Sequence, residues 1–424
     1  MRKLAVCSFV SALAVPTLAH AAWETRQIAG MSVELYTPTS TSPIGTGHSL
    51  MIGLHGCTQT AVQLRDYAGL ESAADEYGMV IALPLVPNGG VIAGCWDYYG
   101  ANHTRATRHD GPLIEMTETL RDDGALTIDP AQIYLAGFSA GGGQALVLGC
   151  LAPDLYAGVA AAAGPSVGTS VSQIAQVGTT AQQAATACQA LAGGNAADFA
   201  TQLAITFTDT SDATVAQGYA QVSADMFAIV YGGGMQTTAF DMASLPGTAP
   251  AGSGTEYEDG DGGRIATMIS STGGGHAWPA GNGMAGPPLS YVAGNGLDFA
   301  SYLAEFFTAN SRRAEGEWMP GDDDGGGTDD GASDSGDGSD DGGGDSADDA
   351  AGSDEAGSDD GGGDDGGGDD DGGNASAGQD GGTMPTGHIE PSGCQCNSDP
   401  QRELGGALLI VLALAGSSRR RRGL

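Results

Sequence analysis

Lysine is almost missing from this chain of 424 residues: it occurs once, at Lys3. Basic side chains are scarce as a class, 15 Lys and Arg against 52 Asp and Glu, and the formal net charge is -37 at pH 7. A surface so poor in cations repels a phosphate backbone, so nucleic acid is excluded as a partner. It suits a salty medium, where counterions screen self-repulsion. Zinc-ligand spacing is absent among the cysteines, and the acidic repeats follow neither the EF-hand loop nor the nonapeptide calcium pattern. No metal and no organic cofactor is therefore expected. Apolar runs long enough to cross a bilayer are wanting too. The run at 404–416 would make roughly 20 Å of helix against a hydrocarbon core of about 30 Å.

What is present divides the chain into four parts. Residues 1–21 read as a signal peptide: Arg2 and Lys3, an apolar stretch, then Ala19-His20-Ala21 as a small-x-small cleavage site. Residues 22–320 have the alternation of a folded catalytic domain. Residues 321–392 begin with a tract of Asp, Gly and Ser that holds 22 acidic residues and no Lys or Arg up to position 382. It cannot bury apolar surface and is expected to stay disordered, as a tether. Residues 393–424 run from Cys394-Gln395-Cys396 through the apolar segment to Arg419-Arg420-Arg421-Arg422. This three-part tail resembles the MYXO-CTERM type of bacterial sorting signal. The resemblance implies processing by sorting machinery, membrane association through the tail alone, and an outer-surface location.

Export decides how the remaining cysteines are read. Cys57, Cys95, Cys150 and Cys188 are an even set in the folded part, and an oxidising compartment turns them into two disulfides. Three pairings are open; Cys57–Cys95 with Cys150–Cys188 is favoured. Each bridge is worth roughly 3–4 kcal/mol in the loop-entropy model.

Within the folded part, apolar runs of strand type lie at 49–54, 79–83, 133–136, 157–162, 203–207 and 265–270. Helical patterns lie at 63–77, 113–121, 144–151, 215–231 and 297–307. Strands alternating with helices predict a mostly parallel sheet with helices on both faces. The Ala/Gln/Thr-rich stretch 166–200 reads as an insertion of small helices.

The chemistry starts at Gly137-Phe138-Ser139-Ala140-Gly141, between an apolar run and an Ala/Leu-rich helical run. Strand, sharp turn and helix are the context in which Gly-x-Ser-x-Gly is a nucleophile elbow, with Ser139 exposed on the turn. A serine nucleophile needs a base placed later in the chain, because the order in an α/β-hydrolase is Ser, then Asp or Glu, then His. His48, His55, His103 and His109 precede the serine, His20 lies in the leader, and His388 lies beyond the acidic tract. That leaves His276, in the loop Gly273-Gly274-Gly275-His276. The orienting acid is expected at Asp212, with Asp209 in the same loop as the alternative. Oxyanion donors are expected from the backbone N–H groups of Ala140 and Cys57, the latter in the loop after an early strand. His55 is given a structural role, tying loops together.

Five segments in order resemble the extracellular poly(3-hydroxybutyrate) depolymerase family of esterases, which includes feruloyl and acetylxylan esterases. They are Leu54-His55-Gly56-Cys57-Thr58-Gln59, Cys95-Trp96-Asp97-Tyr98, Gly137-Phe138-Ser139-Ala140-Gly141-Gly142, Asp212-Ala213-Thr214-Val215 and Gly275-His276-Ala277-Trp278-Pro279. The resemblance implies an α/β-hydrolase fold, a Ser139–His276–Asp212 triad, an oxyanion N–H at Cys57 and a Cys57–Cys95 disulfide. It departs from the family at Asp97-Tyr98-Tyr99, where the family often has Asn-Trp-Phe, and in the 166–200 insertion. Trp96, Tyr98, Tyr99 and Trp278 flank the expected site and are read as an apolar platform for substrate. The expected function is a secreted, surface-tethered serine esterase that depolymerises a polyester of the poly(3-hydroxybutyrate) type. Feruloyl or acetylxylan ester hydrolysis on plant cell-wall polysaccharide is the rival within enzymes. A non-catalytic surface binding protein on the same fold is the rival from another class, and it would be favoured by a missing triad member.

Overall fold

The computed structural model describes residues 21–314. The expected leader, acidic tract and sorting tail lie outside the described residues.

Ten strands form one sheet. They are β1 (Ala22–Ile28), β2 (Met31–Thr37), β3 (His48–Leu54), β4 (Met79–Pro84), β5 (Ile128–Phe138), β6 (Gly158–Ala162), β7 (Leu203–Asp209), β8 (Gln236–Asp241), β10 (Gly252–Asp259) and β11 (Gly262–Ser270). A two-residue strand, β9 (Gly247–Thr248), lies outside this sheet. The spatial order is β1-β2-β4-β3-β5-β6-β7-β11-β10-β8. The six strands from β4 to β11 pair in parallel. An antiparallel hairpin closes each edge: β1 and β2 against β4, β10 and β8 against β11.

The parallel centre follows from its residues. Met79–Pro84, Gly158–Ala162 and Leu203–Asp209 are buried along their whole length. Strands covered on both faces read as continuous rather than alternating apolar runs. Helices cover both sides. On one face lie α1 (Ala61–Tyr67), α2 (Leu70–Tyr77) and the last helix, α7 (Phe299–Ala309). On the other lie α3 (Asp110–Arg121), α4 (Ala140–Leu151), α5 (Ala181–Ala192) and α6 (Gly218–Val230). Every residue of α4 is buried; a helix apolar on all sides belongs inside the fold. This strand order, with crossover helices on both faces and the Ser139 turn at the end of β5, is the α/β-hydrolase fold.

The predicted strands and helices are present with shifted ends, and two differences have physical reasons. The helix expected at 63–77 is two helices, because Gly69 takes φ +74°, a left-handed conformation that interrupts the ladder. The edge hairpins were not expected: β8 is exposed along five of its six residues and has no apolar pattern to announce it. The 166–200 stretch does contain small helices, with α5 opened by a capping box between Thr180 and Gln183. α5 is fastened to α4 by Cys150–Cys188.

Candidate active site

β5 ends at Phe138 and α4 begins at Ala140, so a single residue, Ser139, makes the turn. Its backbone sits at φ 55° and ψ -120°, a strained conformation for a residue with a Cβ. Crowding explains the flanking glycines. A Cβ on Gly137 would lie 2.2 Å from the Gly141 carbonyl oxygen, and one on Gly141 would lie 2.1 Å from the Leu54 carbonyl oxygen. The elbow therefore presses on the end of β3, and only hydrogen side chains fit between them.

His276 reaches this serine from the loop after β11. Its Nε2 lies 2.9 Å from Ser139 Oγ, and its Nδ1 lies 2.8 Å from Asp212 Oδ2. Asp212 leaves the end of β7, and its side chain is closed to solvent while that of His276 is 11% exposed. The Thr214 and Val215 N–H groups donate to Asp212 Oδ1 at 2.8 and 3.0 Å, which leaves Oδ2 facing the imidazole. An ionised carboxylate only accepts, so Nδ1 carries the proton and Nε2 is free to accept from the serine hydroxyl. The Phe138 ring packs 4.8 Å from the imidazole.

Asp209, the alternative acid, does not touch the imidazole. It accepts from Ser211 N at 2.9 Å, from Ser211 Oγ, from Ser270 Oγ at 2.8 Å and from Gly275 N at 3.4 Å. Burial opposes its ionisation, but the bonds from Ser211, Ser270 and Gly275 prevail and hold its carboxyl below the usual carboxylate range.

The loop after β3 brings Cys57 to the elbow. A Cβ on Gly56 would stand 3.3 Å from Ser139 Cβ. Gln59 braces this loop: its Oε1 accepts from Gly56 N at 2.8 Å, and its Nε2 donates to Ser290 O at 2.6 Å. Cys57 is bonded to Cys95. Among the described residues, no acceptor takes the N–H of Cys57 or of Ala140. His55 spans two loops, with Nδ1 donating to Gly56 O at 2.8 Å and Nε2 accepting from Val86 N at 3.1 Å. Desolvation pushes its pKa down to about 4, so the ring is neutral.

The aromatic platform is corrected by the structure. Trp96, Tyr98 and Trp278 are buried core residues and offer no face to a ligand. Trp278 donates from Nε1 to Ala68 O at 3.1 Å and stands edge-on to Phe299. Tyr98 fills the space beside Gly143, where a Cβ would meet its ring at 2.9 Å. Large rings beside a site are drawn into the core because each buries so much apolar area. Tyr99 alone of the four keeps partial exposure. Sequence reasoning missed Tyr291. Its ring lies 6.4 Å from that of His276, partly exposed, and Thr58 Oγ1 donates to its hydroxyl at 3.4 Å. The one signal for it is a lone tyrosine in the Gly/Pro-rich stretch that follows the histidine.

Comparison with known proteins shows what the chain is similar to. Residues 31–235 match a family described as Esterase PHB depolymerase. A poly(3-hydroxybutyrate) depolymerase of Ralstonia pickettii is 39% identical over 289 residues, covering 66% of this chain and 58% of that protein. Feruloyl esterase B of Neurospora crassa is 27% identical over 139 residues, covering 31% of this chain and 44% of that one. Among solved structures, an acetyl xylan esterase from Aspergillus awamori is 17% identical with a TM-score of 0.48, covering 60% of this chain and 94% of its own. The chain thus spans a little over half the length of the Ralstonia relative.

Proposed function

We propose that this chain is a serine esterase that cleaves carboxylic esters through an acyl-enzyme, with a polyester of the poly(3-hydroxybutyrate) type as substrate. The observation that carries this reading is the relay from Asp212 through His276 to Ser139, with both bonds under 3 Å and the serine on a strained elbow. Ser139 Oγ attacks the ester carbonyl while His276 Nε2 takes its proton. Asp212 holds the tautomer and stabilises the imidazolium. The Cys57 and Ala140 N–H groups receive the oxyanion. Collapse breaks the acyl–oxygen bond, and the departing alkoxide takes the proton from Nε2. Water, deprotonated by the same nitrogen, then releases the acid and restores the serine.

Two observations support a neutral, apolar ester. The large apolar side chains exposed among the described residues lie on segments that follow the carboxyl ends of sheet strands, the end where Ser139 sits. Val62 follows β3, Leu85 and Val91 follow β4, Val171 and Val177 follow β6, and Met284 and Leu289 follow β11. Every arginine among the described residues already faces an acid or a backbone carbonyl. No unpaired guanidinium is left there to greet an anionic chain. The name of the Ralstonia relative points the same way. Two disulfides and the leader-like first 21 residues support work outside the cytoplasm, with the 393–424 tail as the surface attachment.

The test is a substrate panel run on the wild type and Ser139→Ala. Hydrolysis of poly(3-hydroxybutyrate) that is abolished by the substitution is expected. Activity confined to feruloylated or acetylated xylan would move the substrate to plant cell-wall esters, and undiminished turnover by Ser139→Ala would refute the mechanism.

A further inference from the structure

The base of the relay stands on a run of three glycines. Gly273, Gly274 and Gly275 precede His276, and two of them adopt left-handed φ values of +78° and +69°. A Cβ at Gly273 would meet nothing within 4 Å, and one at Gly275 nothing closer than Ser211 Oγ at 3.9 Å. Behind the segment lies a small cavity lined by Phe207, Asp209, Thr272, Gly274, Ala277 and Leu297. Packing holds this stretch closely only at Gly274, where a Cβ would meet Ala293 Cβ at 3.3 Å, and three glycines give up more backbone entropy on ordering than other residues would.

Hydrogen bonds add to this, and they converge on one carboxylate. The parallel pairing of β7 and β11 ends with Asp209 opposite Ser270. Beyond that point Asp209 takes over the ladder's work. One oxygen accepts from Ser270 Oγ at 2.8 Å and Thr272 Oγ1 at 3.4 Å, and the other from Ser211 and from Gly275 N. Ser211 Oγ in turn accepts from Gly275 N at 3.0 Å. The carboxylate thus ties the peptide next to His276 to the loop that carries Asp212.

We propose that Asp209 is the positioning residue of this site: through Ser211 and Gly275 it sets the distance between the His276 imidazole and both Asp212 and Ser139. This inference rests on the esterase reading and assigns a role to a carboxylate that the relay itself does not use. Its substitution should impair the chemical step while leaving ester binding alone, because misplacing a catalytic group by about 1 Å is enough to cost on the order of 10²-fold in rate.

The experiment compares Asp209→Ala, Ser211→Ala and His276→Ala, singly and combined, on a short p-nitrophenyl ester. Asp209→Ala should lower kcat about 10²-fold with KM nearly unchanged. Ser211→Ala removes an exposed side chain and keeps the fold, and it should lower kcat several-fold. In the His276→Ala background, neither substitution should reduce the residual rate further, since there is no imidazole left to misplace. Unchanged kcat in both single variants would overturn the inference. So would losses that recur in full without the imidazole, which mark general damage to the fold. Ser139→Ala, run alongside, reports on the esterase reading separately: turnover retained there defeats that reading, whatever the Asp209 series shows.

Discussion

Gly56 and Ser139 stand back to back: a Cβ added to Gly56 would lie 3.3 Å from the serine Cβ and 2.8 Å from the Phe138 ring. The loop that carries Cys57 and the Ser139 elbow thus share one tight contact. Gly56→Ala should push the Phe138 ring toward His276, its neighbour at 4.8 Å. Overpacking of this kind costs about 1–3 kcal/mol. Denaturant titration should show that loss, together with a fall of at least about 10-fold in kcat, which is about 1.4 kcal/mol of transition-state stabilisation.

Asp212 accepts from two backbone N–H groups and from one imidazole nitrogen. Asp212→Asn can keep the backbone bonds through its carbonyl oxygen but turns an N–H toward Nδ1, which favours the wrong tautomer. In Ser-His-Asp triads that change lowers kcat by about 10⁴. Short-ester kinetics should show a loss of this order with the fold intact by circular dichroism.

The two disulfides close loops of equal sequence separation, 38 residues. The loop-entropy model gives each about 4 kcal/mol. Their effects on catalysis should differ. Replacing Cys57 and Cys95 together by serine should lower both stability and kcat, the latter about 10-fold, because preorganised donors are worth about 10²–10³ and a loosened loop forfeits part of that. Replacing Cys150 and Cys188, between α4 and α5, should lower stability alone. Calorimetry and kcat on the same samples separate the two.

His55 imposes a pH dependence on stability. Its folded-state pKa of about 4 lies below its unfolded value near 6.5. The unfolded chain therefore binds more protons between those values, and stability rises with pH across that window. Acidification from about 6.5 to 4 should remove up to about 1.4 kcal/mol per pH unit. His109, also lowered mainly by burial, adds in the same direction. Urea titrations at pH 7 and pH 5 should show the fall, and His55→Asn should flatten it.

The sheet's parallel centre was legible because strands buried on both faces favour unbroken apolar runs, as in Met79–Pro84. The elbow was legible because its geometry leaves no room for a side chain at Gly137 or Gly141, two residues either side of Ser139. The edge strands were not: Gln236–Asp241 is held by pairing to β10 rather than by burial, so its side chains carry no pattern. Nor was the fate of the aromatic rings. Trp96, Tyr98 and Trp278 are near the site along the chain, but residue type does not say which way a ring turns, and these turn inward. The sequence favours Asp212 as the acid and leaves Asp209, three residues earlier, as the alternative. Three-dimensional reach separates the carboxylate that meets the imidazole from the one that holds its loop.

The central claim is that Ser139 is the nucleophile made reactive by His276. Incubation with a fluorophosphonate followed by peptide mapping tests it directly. A single adduct on Ser139, formed rapidly by the wild type and slowed at least about 10²-fold in His276→Ala, is the expected result. Ester turnover that continues with position 139 unmodified, or an adduct on a different residue, would contradict it.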